Sequence, residues 1–253
     1  MKIDTLIITH NADRSDSGYA IRTLAMCSAL RGRGLAVGLL RLVPGFHGAV
    51  SWKPAVADSV DMLAECKIPP ISRYPTLRDL SVLLSRRIVK EAIARHRPGV
   101  VQCEGHSASM VLPETGSRKY RVIMDFHGAT PEEIIYGKKM TRRLEMSCDW
   151  HRRSEQRAMK ESDAVLVVSS EMARHLESKY GKFDKIHIIP IGVNAHFFQP
   201  VDRDAARKRL GYRDEIVLCY LGGTASYQCI PEMAGLIRRL AASGKEVHWL
   251  VIT

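Results

Sequence analysis

The feature that most constrains this 253-residue chain is a regular alternation of short apolar runs with segments of helical periodicity. It is clearest at residues 163–200, where an apolar run over 164–168 is followed by an amphipathic segment and a second apolar run over 186–189. Strands that alternate with helices in this way predict a parallel sheet covered by helices on both faces. The predicted fold class is therefore α/β, with a doubly wound, Rossmann-like parallel sheet.

Proline and glycine residues interrupt the apolar pattern after position 189 and predict a crossing between two domains. We predict an N-terminal domain over 1–195, a linker over 196–213 and the beginning of a C-terminal domain over 214–253. The chain ends within an apolar run that is typical of a strand. We therefore expect the second domain to be incomplete.

Three further stretches carry specific predictions. Residues 43–74 are rich in Pro and Gly, which predicts a long irregular connection. Thr76, with Asp79 three residues later, is an N-cap signal for the helix that follows. Its apolar positions are expected to face the sheet: Leu77, Leu80, Leu84, Ile88 and Ile93. Its basic positions are expected on or beside the opposite face: Arg86, Arg87, Lys90 and Arg95. Another helix, over about 130–160, is expected to break near Gly137.

The composition narrows the classes of partner. The formal net charge is +11 and the pI is near 9.5, which favours nucleic acid, an anionic membrane surface or phosphorylated small molecules. The basic residues are spread over many helices, and aromatic residues make up only 6% of the chain, so stacking platforms for bases are scarce. We therefore predict that nucleic acid is not a partner. A merely solvated basic surface remains the alternative to anionic attraction.

The cysteines and the apolar runs indicate a compartment. The six cysteines include no C-x-x-C pair, which favours a reducing, cytoplasmic location. No apolar run approaches the length of about 18 residues that a membrane-spanning helix needs. We therefore expect no membrane-spanning segment.

Parallel sheets bind ligands beyond the carboxyl ends of their strands, and the first such loop precedes the first helix. Ser17 and Gly18 lie there, with Tyr19 directly after them. A glycine lets the backbone approach a ligand, and the free N–H groups of a helix N-terminus favour an oxyanion or a sugar hydroxyl. A single glycine is not the dinucleotide-binding fingerprint. An ordinary helix cap is the alternative.

Two later strands each end in a histidine next to a glycine. The segments are Glu104-Gly105-His106 and Asp125-Phe126-His127-Gly128. Because parallel strands end at one edge of a sheet, we expect both histidines at that edge. A histidine there can hydrogen-bond hydroxyl groups or transfer protons near neutral pH. Buried histidines with a purely structural role are the alternative.

Three weaker signals complete the first domain. Ser169 and Ser170 follow a strand, but an N-cap explains them better than a ligand does. Glu155 is either a surface acid or a carboxylate that orients a histidine. The remaining histidines show no metal-ligand spacing, so we predict no metal site.

The second domain offers one candidate loop. Gly222 and Gly223, followed by Thr224, lie between a predicted strand and a predicted helix. Paired glycines in that position are suited to cradling a diphosphate. Gly-Gly turns are common, so the pattern has little weight alone.

Taken together, these motifs resemble those of the group 1 (family 4) retaining glycosyltransferases, which have the two-domain GT-B fold. The matching residues run through nearly the whole chain in the family's order: Ser17-Gly18, Asp125-Phe126-His127-Gly128, Glu155, Ser162-Asp163-Ala164-Val165, Val168-Ser169, Ile189-Pro190-Ile191-Gly192-Val193-Asn194, Phe197, Pro200 and Tyr220-Leu221-Gly222. The resemblance implies an acceptor-binding first domain, a second domain that binds a nucleotide-sugar, and transfer between them with retention of configuration.

The resemblance also implies roles for residues. His127 would be catalytic, contacting the donor sugar or positioning the reacting groups. The positions implied to bind acceptor or substrate are Ser17, Gly18, Tyr19, Glu104, His106 and Gly128. Those implied to bind the donor diphosphate are Gly222, Gly223 and Thr224. No covalent protein nucleophile, no metal and no cofactor beyond the nucleotide-sugar co-substrate is implied.

The implied partners are a nucleotide-sugar donor and a sugar, lipid-linked or small-molecule acceptor. Family members that act on lipid-linked acceptors often touch the membrane through basic surface on this domain. A peripheral contact at the inner face of the membrane is therefore expected, although a core-packed helix with solvated charges is the alternative. The contact would use basic and apolar residues of one helix: Leu83, Leu84, Arg86, Arg87 and Lys90.

Two departures from the family pattern leave a second function open. Gly223 and Gln228 stand near the places where the family has a diphosphate-binding Arg and Lys. The paired glutamates that hold the donor would lie beyond Thr253. We therefore expect this chain to be a fragment that is inactive alone. The alternative is a non-catalytic GT-B-like binding module that lacks a donor site.

Overall fold

The structure is a computed structural model that describes residues 2–10, 18–45, 51–54, 59–69, 75–113, 118–193 and 198–253. Ser17 lies outside these residues. The chain divides into two compact units. The first contains Met1–Ile134 and Met140–Ile191, and the second contains Ile135–Lys139 and Gly192–Thr253.

The first unit is built on an eight-stranded sheet with the order β3-β4-β2-β1-β5-β6-β7-β8. Every neighbouring pair is parallel except β3 and β4, which are antiparallel. The predicted α/β class with a parallel sheet is confirmed. The strands are β1 (Thr5–His10), β2 (Val37–Pro44), β3 (Ser51–Pro54), β4 (Met62–Ile68), β5 (Val100–Glu104), β6 (Arg121–Phe126), β7 (Ala164–Val167) and β8 (Ile186–Ile188).

Five α-helices and one short 3₁₀ helix accompany these strands in the described part of the first unit. The α-helices are α1 (Gly18–Arg31), α2 (Pro75–His96), α3 (Thr130–Glu133), α4 (Arg142–Glu161) and α5 (Ser170–Tyr180). The 3₁₀ helix, His106–Val111, follows β5 directly.

The candidate site lies at the ends of the middle strands of the sheet, β1, β5 and β6. All six residues of β1 are buried, as expected for a parallel strand covered on both faces. β1 pairs with β5 so that Thr9 lies opposite Glu104, and β5 pairs with β6 so that Glu104 lies opposite Asp125. The register therefore brings the carboxyl ends of β5 and β6 to one level. Residues that follow them share one edge of the sheet.

The predicted irregular connection over 43–74 is wrong, because this stretch contains β3 and β4. In β4, Ala64, Cys66 and Ile68 are buried while the residues between them are exposed. That alternation with a period of two is the signature of a strand. The Pro and Gly residues on either side concealed it.

The orientation of α2 differs from the prediction at its beginning. Leu77 and Leu80 are each 47% exposed, whereas Arg78 and Ser81 are buried. Farther along, Ile88 is buried as predicted. At its beginning, the helix therefore buries Arg78 and Ser81, each one position after an exposed leucine. Apolar spacing alone could not separate the two overlapping faces.

The helix signals after β6 and β7 were accurate. The predicted break near Gly137 is confirmed, because α3 ends at Glu133, α4 begins at Arg142 and Gly137 has a left-handed φ of 65°. Ser169 caps α5 by accepting a hydrogen bond from the backbone N–H of Met172 at 3.2 Å. The N-cap interpretation of Ser169 is therefore confirmed.

The second unit contains a pair of parallel strands, β9 (Ile216–Leu221) and β10 (Val247–Ile252). Its described residues form the α-helices α6 (Arg203–Arg209), which Asp202 caps, and α7 (Ile230–Ala242), and a 3₁₀ helix over Ser226–Gln228. Over the described ranges, no helix is both long and apolar enough to cross a membrane.

Candidate active site

His127 lies at the centre of a buried cluster beyond the ends of β5 and β6. Its Nε2 is 2.9 Å from Glu104 Oε2 and 3.5 Å from Asp125 Oδ2. Both carboxylates have no exposed side-chain surface, whereas the His127 side chain is 17% exposed. The imidazole therefore lies between two buried acids and the solvent.

These two acids set the charge of His127. Burial lowers the pKa of an imidazole, but the hydrogen bonds and negative charges of Asp125 and Glu104 outweigh it and raise the pKa of His127 to about 9. At neutral pH the ring is therefore a cation with two N–H groups. A group in that state donates hydrogen bonds and stabilises negative charge, and it does not act as a general base.

Asp125 is held by an arginine from the first helix. Arg22, only 7% exposed, donates from Nε to Oδ2 at 2.9 Å and from Nη2 to Oδ1 at 3.0 Å. Burial raises the pKa of Asp125, but hydrogen bonds from His127 and Arg22 lower it below its usual value. Nη2 of Arg22 also donates to the carbonyl of Ile189 at 3.1 Å. The same guanidinium thus joins α1, β6 and the segment after β8.

Glu104 is satisfied by three other groups. Oε1 accepts from Nε2 of Gln102 at 2.6 Å, and Oε2 lies 3.3 Å from the hydroxyl of Thr23, which also lies 2.9 Å from the carbonyl oxygen of Tyr19. The hydroxyl of Tyr19 donates to the backbone carbonyl of Glu104. The Tyr19 ring lies 4.7 Å from the His127 ring, centroid to centroid. Glu104 and Tyr19, the two neighbours of the His127 ring, are therefore each held in place by hydrogen bonds.

Two glycines flank the cluster, and the backbone conformation of Gly105 favours glycine. Gly105 has a left-handed φ of 73°, and a Cβ there would lie 3.5 Å from the Tyr19 ring. A Cβ on Gly128 would lie 2.4 Å from Oε1 of Glu133, a distance that no side chain tolerates without movement of the glutamate. The backbone on either side of the cluster is thus closely covered by side chains.

His106 is at the predicted edge of the sheet but has different partners from His127. It is buried, its Nε2 lies 2.9 Å from Nδ1 of His151, and its ring stacks on Phe126 with centroids 6.1 Å apart. Burial first, and then the neighbouring His151 and Lys179, lower the pKa of His106 to about 3. This histidine is neutral at physiological pH. Its predicted role in substrate binding stays a prediction.

Neither interpretation of Glu155 describes what the structure shows. The surface interpretation is wrong, because its side chain has no exposed surface. Oε2 accepts from Lys179 Nζ and from the Tyr180 hydroxyl, each at 2.7 Å. Glu155 therefore ties α4 to α5 through a lysine and a tyrosine, and among the described residues it accepts no hydrogen bond from a histidine.

The donor atoms of Glu104, Asp125 and His127 lie within 4.8 Å of one another, which is compatible with a metal site in residue type and spacing. Their carboxylate oxygens already accept hydrogen bonds, because Arg22 donates to both oxygens of Asp125 and Gln102 donates to Glu104. A cation would have to displace these donors. The expectation of a metal-free site stays a prediction.

The candidate donor loop of the second unit follows β9. The hydroxyl of Tyr220 donates to the carbonyl of Gly223, and it lies 3.3 Å from Oε1 of Gln228. Gly223 and Thr224 are exposed. Hydrogen bonds between its own residues therefore hold the loop in place. Its binding of a diphosphate stays a prediction. So do the roles of Gly18 and Gly222.

Sequence reasoning missed the residues that hold the cluster together. Arg22 and Thr23 were overlooked, although they follow Tyr19 by three and four positions and so share its face of α1. Gln102 was overlooked inside the apolar run of β5. A polar stripe on an otherwise apolar helix and a glutamine within a buried strand were the available signals.

Comparisons with known proteins identify the family of this chain. Residues 17–197, more than two thirds of the chain, match the profile of Glycosyltransferase Family 4. The chain belongs to Glycosyltransferase Family 4. Over 95 residues it is 33% identical to a D-inositol 3-phosphate glycosyltransferase from Stackebrandtia nassauensis, a match that covers 37% of this chain and 21% of that protein.

Solved structures place this family member among GT-B proteins. It is similar to sucrose-phosphate synthase from Thermosynechococcus elongatus, with a TM-score of 0.66 and 15% identity, over 98% of this chain and 70% of that one. It is also similar to the trehalose-6-phosphate protein of E. coli bound with UDP-2-fluoro glucose, with a TM-score of 0.60 and 9% identity, over 98% of this chain and 64% of that one. At these identities the likeness shows the fold.

The charge of His127 can be tested directly. Replacing Glu104 with Gln should lower the pKa of His127 from about 9 by roughly one unit or more, because it removes the carboxylate 2.9 Å away. The measurement is an NMR titration of the His127 ring in both proteins. Glu132→Gln is the matched control, because Glu132 lies 3.5 Å from His175 instead. Equal His127 titrations in parent and Glu104→Gln would contradict the assignment.

Proposed function

We propose that this chain is part of a retaining glycosyltransferase that moves a sugar from a nucleotide-sugar to an acceptor hydroxyl. The family match supports transfer of a sugar, and the carboxyl-edge cluster around His127 supplies a place for the reacting groups. The observation that carries the proposal is a cationic imidazole held between two buried carboxylates at that edge.

The chemistry follows from the charge of His127. In glycosyl transfer the bond from the anomeric carbon to the diphosphate breaks, and a bond to the acceptor oxygen forms. Negative charge grows on the leaving oxygen while the acceptor hydroxyl loses its proton. A fixed cationic hydrogen-bond donor stabilises charge that develops in the transition state. His127 would therefore bind a hydroxyl of the donor sugar or stabilise that charge, and no residue is proposed as a covalent nucleophile.

The names of the relatives support the substrate class. The E. coli structure is bound with a UDP-sugar analogue, and the Stackebrandtia relative is a D-inositol 3-phosphate glycosyltransferase. We propose a nucleotide-sugar donor and a small hydroxylated acceptor by analogy with them. The chain matches about a fifth of the length of the Stackebrandtia relative, so the whole protein's substrates remain part of the proposal.

Calorimetric titration of the complete protein, of which this chain is expected to be a fragment, with UDP-glucose, ADP-glucose and GDP-mannose tests the donor. We expect micromolar to millimolar binding of one nucleotide-sugar, and turnover when a sugar acceptor is added. No binding to any donor would contradict the proposal. Binding without turnover would favour the non-catalytic module, which the glycine and glutamine at positions 223 and 228 also favour.

Peripheral membrane contact through α2 stays a prediction. The exposed Leu77, Leu80 and Leu83 provide an apolar surface near the basic residues Arg87 and Lys90. Apolar and basic side chains together on a helix favour an anionic membrane surface.

A further inference from the structure

His127 lies within reach of two buried acids but is closer to one of them. Its Nε2 is 2.9 Å from Oε2 of Glu104 and 3.5 Å from Oδ2 of Asp125. The first distance is typical of a hydrogen bond, and the second is at the outer limit. Both carboxylates have no exposed side-chain surface, so a difference in burial does not explain why the imidazole lies nearer to Glu104.

The two acids differ in the cation that each one already has. Arg22 donates from Nε to Oδ2 of Asp125 at 2.9 Å and from Nη2 to Oδ1 at 3.0 Å. Oδ2 is the same oxygen that faces His127. A guanidinium that binds both oxygens of a carboxylate fixes its orientation and balances its charge. Arg22 therefore occupies the oxygen of Asp125 that would otherwise compete for the imidazole.

Glu104, in contrast, has no arginine or lysine partner among the described residues. Its side-chain oxygens contact neutral groups, the amide of Gln102 at 2.6 Å and the hydroxyl of Thr23 at 3.3 Å. The hydroxyl of Tyr19 donates to its backbone carbonyl and is neutral, because burial and then the charge of Glu104 raise the pKa of Tyr19. His127 is therefore the cation that balances the charge of Glu104.

Arg22 is itself held in one position. Its side chain is 7% exposed. Beyond Asp125, its Nη2 donates to the carbonyl of Ile189 at 3.1 Å, and its Nη1 lies 3.5 Å from the carbonyl of Pro190. A guanidinium with acceptors on two sides does not turn toward another acid without losing one set of hydrogen bonds. The pairing of Arg22 with Asp125 is therefore fixed by the segment after β8.

We propose that Arg22 is a positioning residue that occupies Asp125, so that Glu104 holds the Nε2–H group of His127. The cluster then consists of two separate ion pairs, and Arg22 decides which acid belongs to which cation. The raised pKa of His127 does not distinguish the two acids, because both contribute to it. The consequence for catalysis rests on the proposed function, whereas the choice of acid does not.

An NMR titration of the His127 ring in the full chain tests the role of the charge on Arg22. In Arg22→Met, the pKa of His127 should rise above its parent value of about 9 by roughly half a unit to one unit. The reason is that a nearby positive charge is lost and Asp125 becomes a second free acceptor. Arg174→Met, which removes an exposed arginine, should titrate like the parent. An unchanged or lower pKa in Arg22→Met would overturn the proposal.

The conservative variant separates charge from structure. Arg22→Lys keeps the positive charge beside Asp125 but lacks the planar fork of the guanidinium. The pKa of His127 should therefore return toward the parent value. A purely structural role for Arg22 predicts that the two variants titrate alike. Equal pKa values in Arg22→Lys and Arg22→Met would therefore contradict the proposal.

Removing both partners gives a test that does not depend on the folding of Arg22→Met. Combining Arg22→Met with Asp125→Asn leaves no unpaired buried charge, so this protein should fold better than Arg22→Met alone. The two lost charges cancel, and Glu104 remains. The pKa of His127 should therefore stay within about half a unit of the parent value. A larger fall would show that Asp125 holds the imidazole, and the proposal would be wrong.

The pH profile of transfer by the complete protein shows the catalytic consequence. If the cationic ring is the active form, activity falls as the pH rises through the pKa of His127. In Arg22→Met this fall should move to higher pH by the same amount as the pKa. A parent without transfer activity would contradict the proposed function and leave the titrations unaffected. Titrations that fail the tests above overturn the role of Arg22 whatever the activity.

Discussion

Replacing Arg22 with Met is expected to lower the free energy of unfolding by about 3–5 kcal/mol. The pair with Asp125 is buried on both sides, at 7% and 0% side-chain exposure. Removing only the cation leaves Asp125 as a buried charge with one fewer partner, and that is more costly than removing the pair. Met has a similar length and helix propensity, so the backbone of α1 is not the cause.

The expected loss has a second component. Arg22 also donates to the carbonyl of Ile189 at 3.1 Å, and it lies 3.5 Å from the carbonyl of Pro190. Without it, the segment after β8 loses its attachment to α1. Hydrogen exchange in that segment should therefore increase more than exchange in the rest of the sheet.

Urea unfolding of the parent, Arg22→Met and Arg174→Met measures the effect. Arg174→Met removes the same charge from an ion pair whose two side chains are 73% and 71% exposed. Exposed pairs contribute about 0–1 kcal/mol, so this control should resemble the parent. If the two variants were equally stable, the buried pair would not hold the site together.

In the complete protein, replacing His127 with Ala is expected to reduce the rate of the proposed glycosyl transfer by about 10²–10⁴-fold. The cationic ring is the partly exposed member of the cluster, and Glu104 and Tyr19 fix its position. A loss in kcat with little change in the affinity for the nucleotide would place its role in the transition state. His175→Ala is the control, because His175 lies near Glu132 in another part of the unit.

The raised pKa of His127 should also make the stability of the fold depend on pH. The pKa of His127 is about 9 in the folded protein, above the ordinary value of 6.5. A raised pKa stabilises the fold fully below pH 6.5, and this stabilisation is lost as the pH rises through about 9. It amounts to about 3 kcal/mol at most. The stability difference between the parent and His127→Ala should therefore shrink between pH 6 and pH 10, and a constant difference would argue against the raised pKa.

Local signals in the sequence predicted much of the fold. Apolar runs predicted β5, β6 and β7, because strands covered on both faces of a parallel sheet are continuous hydrophobic segments. Ser169 and Gly137 marked a helix start and a helix break through hydrogen bonding and backbone conformation alone. These features depend on neighbours within a few residues, and the sequence contains those neighbours.

The candidate site was predictable only in part. Parallel strands end at one edge, so the positions of His106 and His127 followed from their places after β5 and β6. Their partners did not follow. Arg22 is 103 residues from Asp125 in sequence, and Glu155 is 24 residues from Lys179. No local pattern specifies which buried acid a distant cation reaches.

By itself, the sequence determined the layered α/β fold, the family and the edge of the sheet where chemistry is expected. The tertiary structure decided which charges are paired, which face of α2 is buried, and that His127 is a cation while His106 is neutral. The physical reason is the distance along the sequence over which each interaction acts. Periodicity and capping act over a few residues, whereas the pKa of a side chain depends on burial and on charges that only the folded chain brings within a few ångströms.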